Sequence, residues 1–262
     1  MSLIETLQPP SIRDRATQPN YAEQALEAIV EIARAADPPA VLDRLMTATA
    51  AMGATASIYT AEIPEDCDEP STFSLYACHP ALAQEHDRSG HLLRHPWLRF
   101  ARTHTSPGTD QQIPASQPSD EEAIDLARRY GFRSSLVVPT LAGPDIGRVE
   151  MLCLGSRWAD DFEGAEARVV RTLARSLAAE LHDWLTRHLR ERLQKTARLQ
   201  KMDVDLLAME LQGLGTKEIC MRTGMSSASV NSRFQRISAR MQCTSRRAAA
   251  KRAAAYGVLE AL

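Results

Sequence analysis

The stretch MDVDLLAMELQGLGTKEICMRTGMSSASVNSRFQRISARM, residues 202–241, decides how this chain is read. Leu206, Leu207 and Leu211 fall on one face of a first helix, ended by Gly213 and Gly215. Thr216 is placed to cap the next helix, TKEICMRTG, and Gly224 supplies the positive-φ turn that lets a further helix cross it. Ser226 caps that helix, whose apolar residues Val230, Phe234, Ile237 and Met241 recur at spacings of 4, 3 and 4 and so share a face. The opposite face carries Ala228, Ser232, Gln235, Arg236 and Ala239. Small Ala228, Ser232 and Ala239 permit close approach to a DNA major groove, Gln235 suits adenine, Arg236 suits guanine, and Asn231 flanks them. Lys217, Arg233 and Arg240 stand on the flanks, where phosphates set position, and Thr216 completes the candidate contacts with double-stranded DNA. The bland alternative is a plain helical bundle with a solvated face.

Charge supports the DNA reading. Residues 187–262 hold fifteen Lys/Arg against six Asp/Glu, leaving 16 against 27 in the first 186 residues of a 262-residue chain whose net charge is −2. An acidic body with a basic tail points to a polyanion met by the tail while the body does something else. The chain is long enough for two domains, and 44% hydrophobic with 24% charged residues is the composition of a globular protein. Five cysteines, with no Cys-x-x-Cys pair, encode neither a disulfide framework nor a zinc finger. The N-terminus has no signal-peptide pattern and no run of about 18 apolar residues occurs, so a cytoplasmic location and no membrane partner are expected.

Upstream, residues 20–36 form a helix with Asn20 at the N-cap and Ala25, Ile29 and Ile32 inward. A second helix follows Pro38 and Pro39, with Val41, Leu42, Leu45 and Met46 inward, until Gly53. Residues 54–63 and 72–78 are strands around an acidic turn. Short helices are expected near 80–87 and 96–104, and a long surface loop over 103–120. Ser119 and Glu122 make a capping-box pattern that opens a helix closed by Gly131. SLVVPT and IGRVEMLCLG are strands around the turn AGPD. Val169, Val170, Leu173, Leu177, Leu181 and Leu185 mark a long helix from about 162 to 190, either covering the sheet or forming a homodimer seam. The fold class expected is α+β: an N-terminal α/β/α sandwich with an antiparallel sheet over 1–190, a linker at 191–200, and an all-α helix-turn-helix domain over 201–262.

The C-terminal segment resembles the LuxR-type regulators, whose DNA-binding domain carries a Glu-x-x-x-Leu-x-x-x-x-x-Gly spacing, a Lys-Glu-Ile helix and a Ser-x-x-Thr-Val recognition helix. Here stand Asp203, Leu207 and Gly213, then Lys217-Glu218-Ile219, then Ser226 to Val230, and later Arg246 and Ala249. Thr223 replaces the family's usual Leu and is expected to loosen the turn. In quorum-sensing members an α/β/α domain binds an acyl-homoserine lactone and forms the dimer, and DEEAIDLARRYGFRSSLVVPT is similar to a segment of that domain.

The family's lactone pocket uses a Trp and a Tyr four apart, an Asp-Pro, a further Trp and a Ser-Gly. Projected onto this chain, those positions hold Leu82, His86, His95-Pro96 and Ser134-Ser135, with no later Trp. Burying a lactone amide without its partners costs about 1–3 kcal/mol per unpaired group, so a standard lactone is disfavoured. Two readings stay open. Leu82, Trp97 and Phe100 fill the pocket and no signal is needed, or an unidentified small molecule binds with His86, His95 and Ser135 as polar contacts. Cys78, His79, His86, His91 and His95 crowd together, but only His91 and His95 have helical ligand spacing and Pro96 follows, so neither a metal nor another cofactor is expected. No catalytic motif supports the enzyme alternative, a hydrolase using Cys78 and a nearby His. A further alternative is a protein-interaction adaptor with a vestigial DNA-binding domain.

Overall fold

The structure, a computed structural model, describes residues 10–66, 70–89, 94–141, 147–165 and 167–259. It is an α+β fold made of two compact units. The first comprises Met1–Ala61, Ser74–Thr140 and Val149–His182; the second comprises Glu62–Phe73, Leu141–Arg148 and Asp183–Leu262.

A five-stranded sheet has the order β2-β1-β5-β4-β3, with β1 at Ala56–Ile63, β2 at Ser71–Ala77, β3 at Gly108–Thr109, β4 at Ser134–Leu141 and β5 at Val149–Ser156. Both faces of β1 and β5 are buried, as a sheet layered between helices requires, whereas β2 is an exposed edge. The strand β3 lies in the expected surface loop. It pairs antiparallel with β4, Gly108 opposite Val137, and a Cβ at Gly108 would come within 2.6 Å of the Phe100 ring, which would have to shift to admit a larger residue.

The helices preceding the sheet are α1 (Ile12–Ala16), α2 (Tyr21–Val30) with a 3₁₀ turn to Arg34, and α3 (Pro38–Ala51). Ala25, Ile29, Ile32, Val41 and Leu45 face the core as expected. Met46 does not; it is exposed, as is Val169, because each lies just outside the buried arc of its helix. Asn20 holds the N-cap position in the left-handed region (φ 64°) and makes no side-chain cap, whereas Asp37 Oδ1 accepts the Ala40 N–H at 2.9 Å and caps α3. The buried carboxylate of Asp161 accepts from the Ile12 N–H at 3.0 Å, the Arg13 N–H at 3.4 Å and the Ser156 hydroxyl at 2.6 Å, anchoring α1.

Between strands lie α4 (Pro80–Ser89), α5 (Pro96–Ala101) and α6 (Pro118–Arg129). The capping box at Ser119 and Glu122 is replaced by one two residues earlier: Pro118 takes the first helical position, Gln117 is the N-cap, and Asp120 accepts the Ser116 and Gln117 N–H groups at 2.8 and 3.2 Å. The AGPD turn falls at 142–145, outside the described residues.

The long helix α7 runs from Ala167 to Ala197, so residues 191–197, in the segment expected as linker, are helical. Its charged surface hides an inner ridge: Leu185, Leu189, Leu193 and Ala197 recur every four residues and are all buried. Val170, Leu173, Leu177 and Leu181 are also buried within the protomer. In the second unit the four helices expected at the C-terminus form: α8 (Lys201–Leu211), α9 (Thr216–Thr223), α10 (Ser227–Arg240) and α11 (Arg246–Ala255). Arg148 Nη1 donates to the Ala255 carbonyl at 3.0 Å and Arg190 Nε to the Gly257 carbonyl at 2.6 Å, placing cations at the carbonyl end of α11. No helix among the described residues is long and apolar enough to cross a membrane.

Candidate nucleic-acid interface

Local chemistry sets each helix of this unit. The Gly215 N–H donates to Glu218 Oε2 at 2.7 Å, so Gly215, and not Thr216, is the N-cap of α9. Gly224 closes α9 at φ 70° in open space, so its backbone angle and not crowding calls for glycine. Thr223 ties the turn it was expected to loosen: its hydroxyl donates to the Ile219 carbonyl at 2.7 Å and accepts the Met225 N–H at 3.4 Å. Ser226 Oγ accepts the Ser229 N–H at 3.2 Å and caps α10 as anticipated.

Val230, Phe234, Ile237 and Met241 are buried, joined in the core by Leu206, Leu207 and Ile219, while Leu211 is exposed beyond the last buried turn of α8. Ala228, Asn231, Ser232, Gln235, Arg236 and Ala239 all face solvent along one side of α10, and Lys217 is exposed at the start of α9. Thr216 is half-buried and accepts from Arg246 Nη1 at 3.0 Å. Arg246 in turn lies 5.5 Å from the Phe234 ring centroid and 3.0 Å from Glu210, tying α11 to α8, α9 and α10. The structure thus gathers the residues expected to face a groove on one exposed side but engages two of the flanking cations. Arg233 Nε pairs with Asp203 Oδ1 at 2.6 Å and Arg240 Nη2 with Asp203 Oδ2 at 2.8 Å. Asp203 entered the sequence reading only as a motif position, because nothing in the spacing tells which way a long arginine folds back. Arg222, Arg247 and Lys251, counted only in the basic balance of the segment, are exposed as well.

In the first unit Leu82, His86, His95, Trp97 and Ser135 are all buried. Leu82 and Trp97 belong to one apolar cluster with Ile58, Leu98, Phe132, Val137, Met151 and Cys153, and Phe100 packs against it. The His95 ring lies 4.2 Å from Trp97 and 6.0 Å from His86 between centroids, and Trp97 lies 5.5 Å from Phe132. His95 Nδ1 accepts the Trp97 N–H at 3.3 Å and so caps α5, a role the projection onto Asp-Pro did not suggest. His86 Nδ1 lies 3.1 Å from the Tyr76 hydroxyl, and the Ser135 N–H donates to Asp110 Oδ1 at 2.8 Å. None of these five residues lines the cavity of about 1170 Å³ in the second unit, whose walls include Glu65, Asp66, Glu210, Gly213, Arg246 and Lys251.

Burial pushes the Cys78 thiol up to about 12, which leaves it protonated and non-nucleophilic at neutral pH. Its Sγ points to the His79 carbonyl at 3.8 Å, and the His79 ring stacks on Tyr130. Among the described residues no three His, Cys, Asp or Glu converge as metal ligands, and His91 lies outside them.

No family model matches the chain, and no curated protein matches it. Solved structures do. SdiA of Escherichia coli is similar over 90% of this chain and 98% of its own, with a TM-score of 0.70 at 14% identity. SdiA in complex with octanoyl-rac-glycerol matches over 93% and 98%, with the same TM-score of 0.70 and 14% identity. CepR2 of Burkholderia cenocepacia, described as an N-acylhomoserine lactone dependent LuxR family transcription factor, matches over 65% and 95% with a TM-score of 0.52 at 16% identity. At these identities the likeness is one of fold, and this chain has the fold those proteins share.

Proposed function

We propose that the protein is a sequence-specific DNA-binding transcriptional regulator of the LuxR type that works without an acyl-homoserine lactone. The observation that carries this is the division of α10 into a buried apolar face and a fully exposed face of Ala228, Asn231, Ser232, Gln235, Arg236 and Ala239. Residues 1–190 serve as the sensory-type and dimerising domain and 201–262 as the DNA-binding domain of a cytoplasmic homodimer. The fold shared with SdiA over 90% of this chain supports the architecture, and CepR2, a lactone-dependent factor, shares it over 65%. The first unit supports lactone independence: Leu82 and Trp97 are packing members of an apolar core, and His95 spends its acceptor on a helix cap.

A second reading has one observation in its favour. His86, His95 and Ser135 bring polar atoms to the same core, and SdiA, of the same fold, is held in complex with octanoyl-rac-glycerol, a ligand other than a lactone. The experiment that separates the readings is purification without added ligand. Duplexes are then selected from a random library, and the protein's bound small molecules are identified by mass spectrometry. Enrichment of one sequence by ligand-free protein is expected. Enrichment only when a small molecule is retained favours the second reading, and no enrichment at all favours an adaptor with a vestigial DNA-binding domain. A lactone that bound the folded state would add about 2.7 kcal/mol at one hundred times its dissociation constant; none is expected to bind, so the expected result is an unshifted melting curve across a panel of short- and long-chain lactones.

A further inference from the structure

Asp203 lies in the first turn of α8 with a relative exposure of 1%. Its Oδ2 accepts the Gln200 N–H at 3.0 Å, closing the helix start, and takes Arg240 Nη2 at 2.8 Å, while Oδ1 takes Arg233 Nε at 2.6 Å. Both arginines belong to α10. They stand seven residues apart, which is about two helical turns, so one carboxylate grips the helix at two heights along a single edge. The grip is reinforced at both ends: Arg233 Nη2 donates to Gln200 Oε1 at 3.1 Å, and Arg240 Nη1 to the Arg198 carbonyl at 3.0 Å. Burial pushes the Asp203 carboxyl up, but the Gln200 N–H and the two guanidinium groups outweigh it and hold the group below the ordinary carboxylate range, charged at neutral pH.

Apolar packing of Val230, Phe234 and Ile237 presses α10 onto its neighbours, but packing is non-directional and tolerates small rotations. Paired ions at fixed heights do not. A rotation of about 20° displaces side-chain atoms at the 5–6 Å helix surface by about 2 Å, enough to break a bidentate hydrogen bond to a base edge. Ser232, Gln235, Arg236 and Ala239 each lie within three residues of one of the two gripped arginines, so their bearing on a groove is set by that grip.

We infer that Asp203 is a positioning residue for DNA reading, holding α10 through Arg233 and Arg240 at the rotation that presents Gln235 and Arg236 to base edges, and that the two arginines act in this clamp and not as phosphate contacts. The inference rests on the regulator reading above.

The test uses the full-length protein, the best duplex selected from a random library, and a scrambled duplex of equal length. For Asp203→Asn, discrimination between the two duplexes falls about tenfold or more, while affinity for the scrambled duplex and its salt dependence hold. Asp203→Glu, which keeps the carboxylate, restores most of the discrimination. Arg233→Gln and Arg240→Gln behave like Asp203→Asn, whereas loss of a phosphate contact would weaken binding to both duplexes and lower the salt slope by about one. If Asp203→Asn does not fold, the two arginine variants carry the same comparison. Unchanged discrimination in the folded variants, or a salt slope lowered in both arginine variants, overturns the clamp while leaving the regulator reading standing. Wild-type protein that prefers no duplex overturns that reading and the clamp with it.

Discussion

Replacing Trp97 with alanine asks whether the core of the first unit is filled or hollow. Trp97 has 2% relative exposure and touches His95 and Phe132 with its ring. A buried tryptophan removes about 150–250 Å² from water, worth about 4–6 kcal/mol at about 25 cal/mol per Å², an upper bound because the unfolded chain already hides some of that area. Truncations of this kind cost about 3–5 kcal/mol, since the cavity left behind collapses only in part. In a domain of roughly 150–250 residues each kcal/mol moves the midpoint by about 2–4 °C, so a fall of about 6–20 °C is expected in the unfolding of the sheet-containing unit. Urea titration followed by circular dichroism gives the same loss as a shift in midpoint. Added indole should refill the space, returning about 2.7 kcal/mol at one hundred times its dissociation constant. A loss below about 1 kcal/mol, with no response to indole, would mean that Trp97 is the wall of an open chamber, and the argument for a filled core would fail.

On the DNA side, Gln235→Ala and Arg236→Ala should each cost about 1–3 kcal/mol on the selected duplex and little on a scrambled one, whereas Lys217→Ala should weaken both; equal losses for Gln235→Ala would place it off the reading face. Sedimentation should give a dimer at micromolar concentration with and without DNA. Because Val170, Leu173, Leu177 and Leu181 are buried inside the protomer, the contact must use other surface, and a monomer in both conditions refutes it. Acid should act through Asp120. Hydrogen bonds from Arg99 first, then from the Ser116 and Gln117 N–H groups, outweigh burial and depress its carboxyl, so its stabilisation is present above the unfolded value near 3.9 and lost as pH falls through the lower folded value. Asp120→Asn should therefore flatten the acid limb of a stability-versus-pH curve, and a curve parallel to wild type below about pH 5 would count against it.

What could be read from the chain was what repeats or caps. The spacing of Val230, Phe234, Ile237 and Met241 located α10, and Ser226 with Gly224 located its start, because buried faces and positive-φ turns leave local marks. The Gln117 cap was missed because Ser119 and Glu122 offer an equally good local pattern, and only Pro118 at the first helical position decides between them. The end of α7 was hidden by charge: Leu189, Leu193 and Ala197 continue the buried ridge among residues that look solvated. The β3 edge was invisible because two residues carry no periodicity, and its reason lies in the distant Phe100 ring. At the candidate interface the exposed face of α10 was legible from its period, while the bond of Arg233 and Arg240 to Asp203 joins residues 30 and 37 apart, a distance at which pattern says nothing.

The anchoring of α1 by Asp161 has a consequence for how the chain is made. The N–H groups of Ile12 and Arg13 leave the ribosome before the carboxylate that satisfies them, which is 149 and 148 residues further on. At roughly 5–20 residues per second, that partner follows about 7–30 seconds later. A five-residue helix is far too short to hold itself together over that interval. The helix α1 therefore settles late, waiting on the segment after β5.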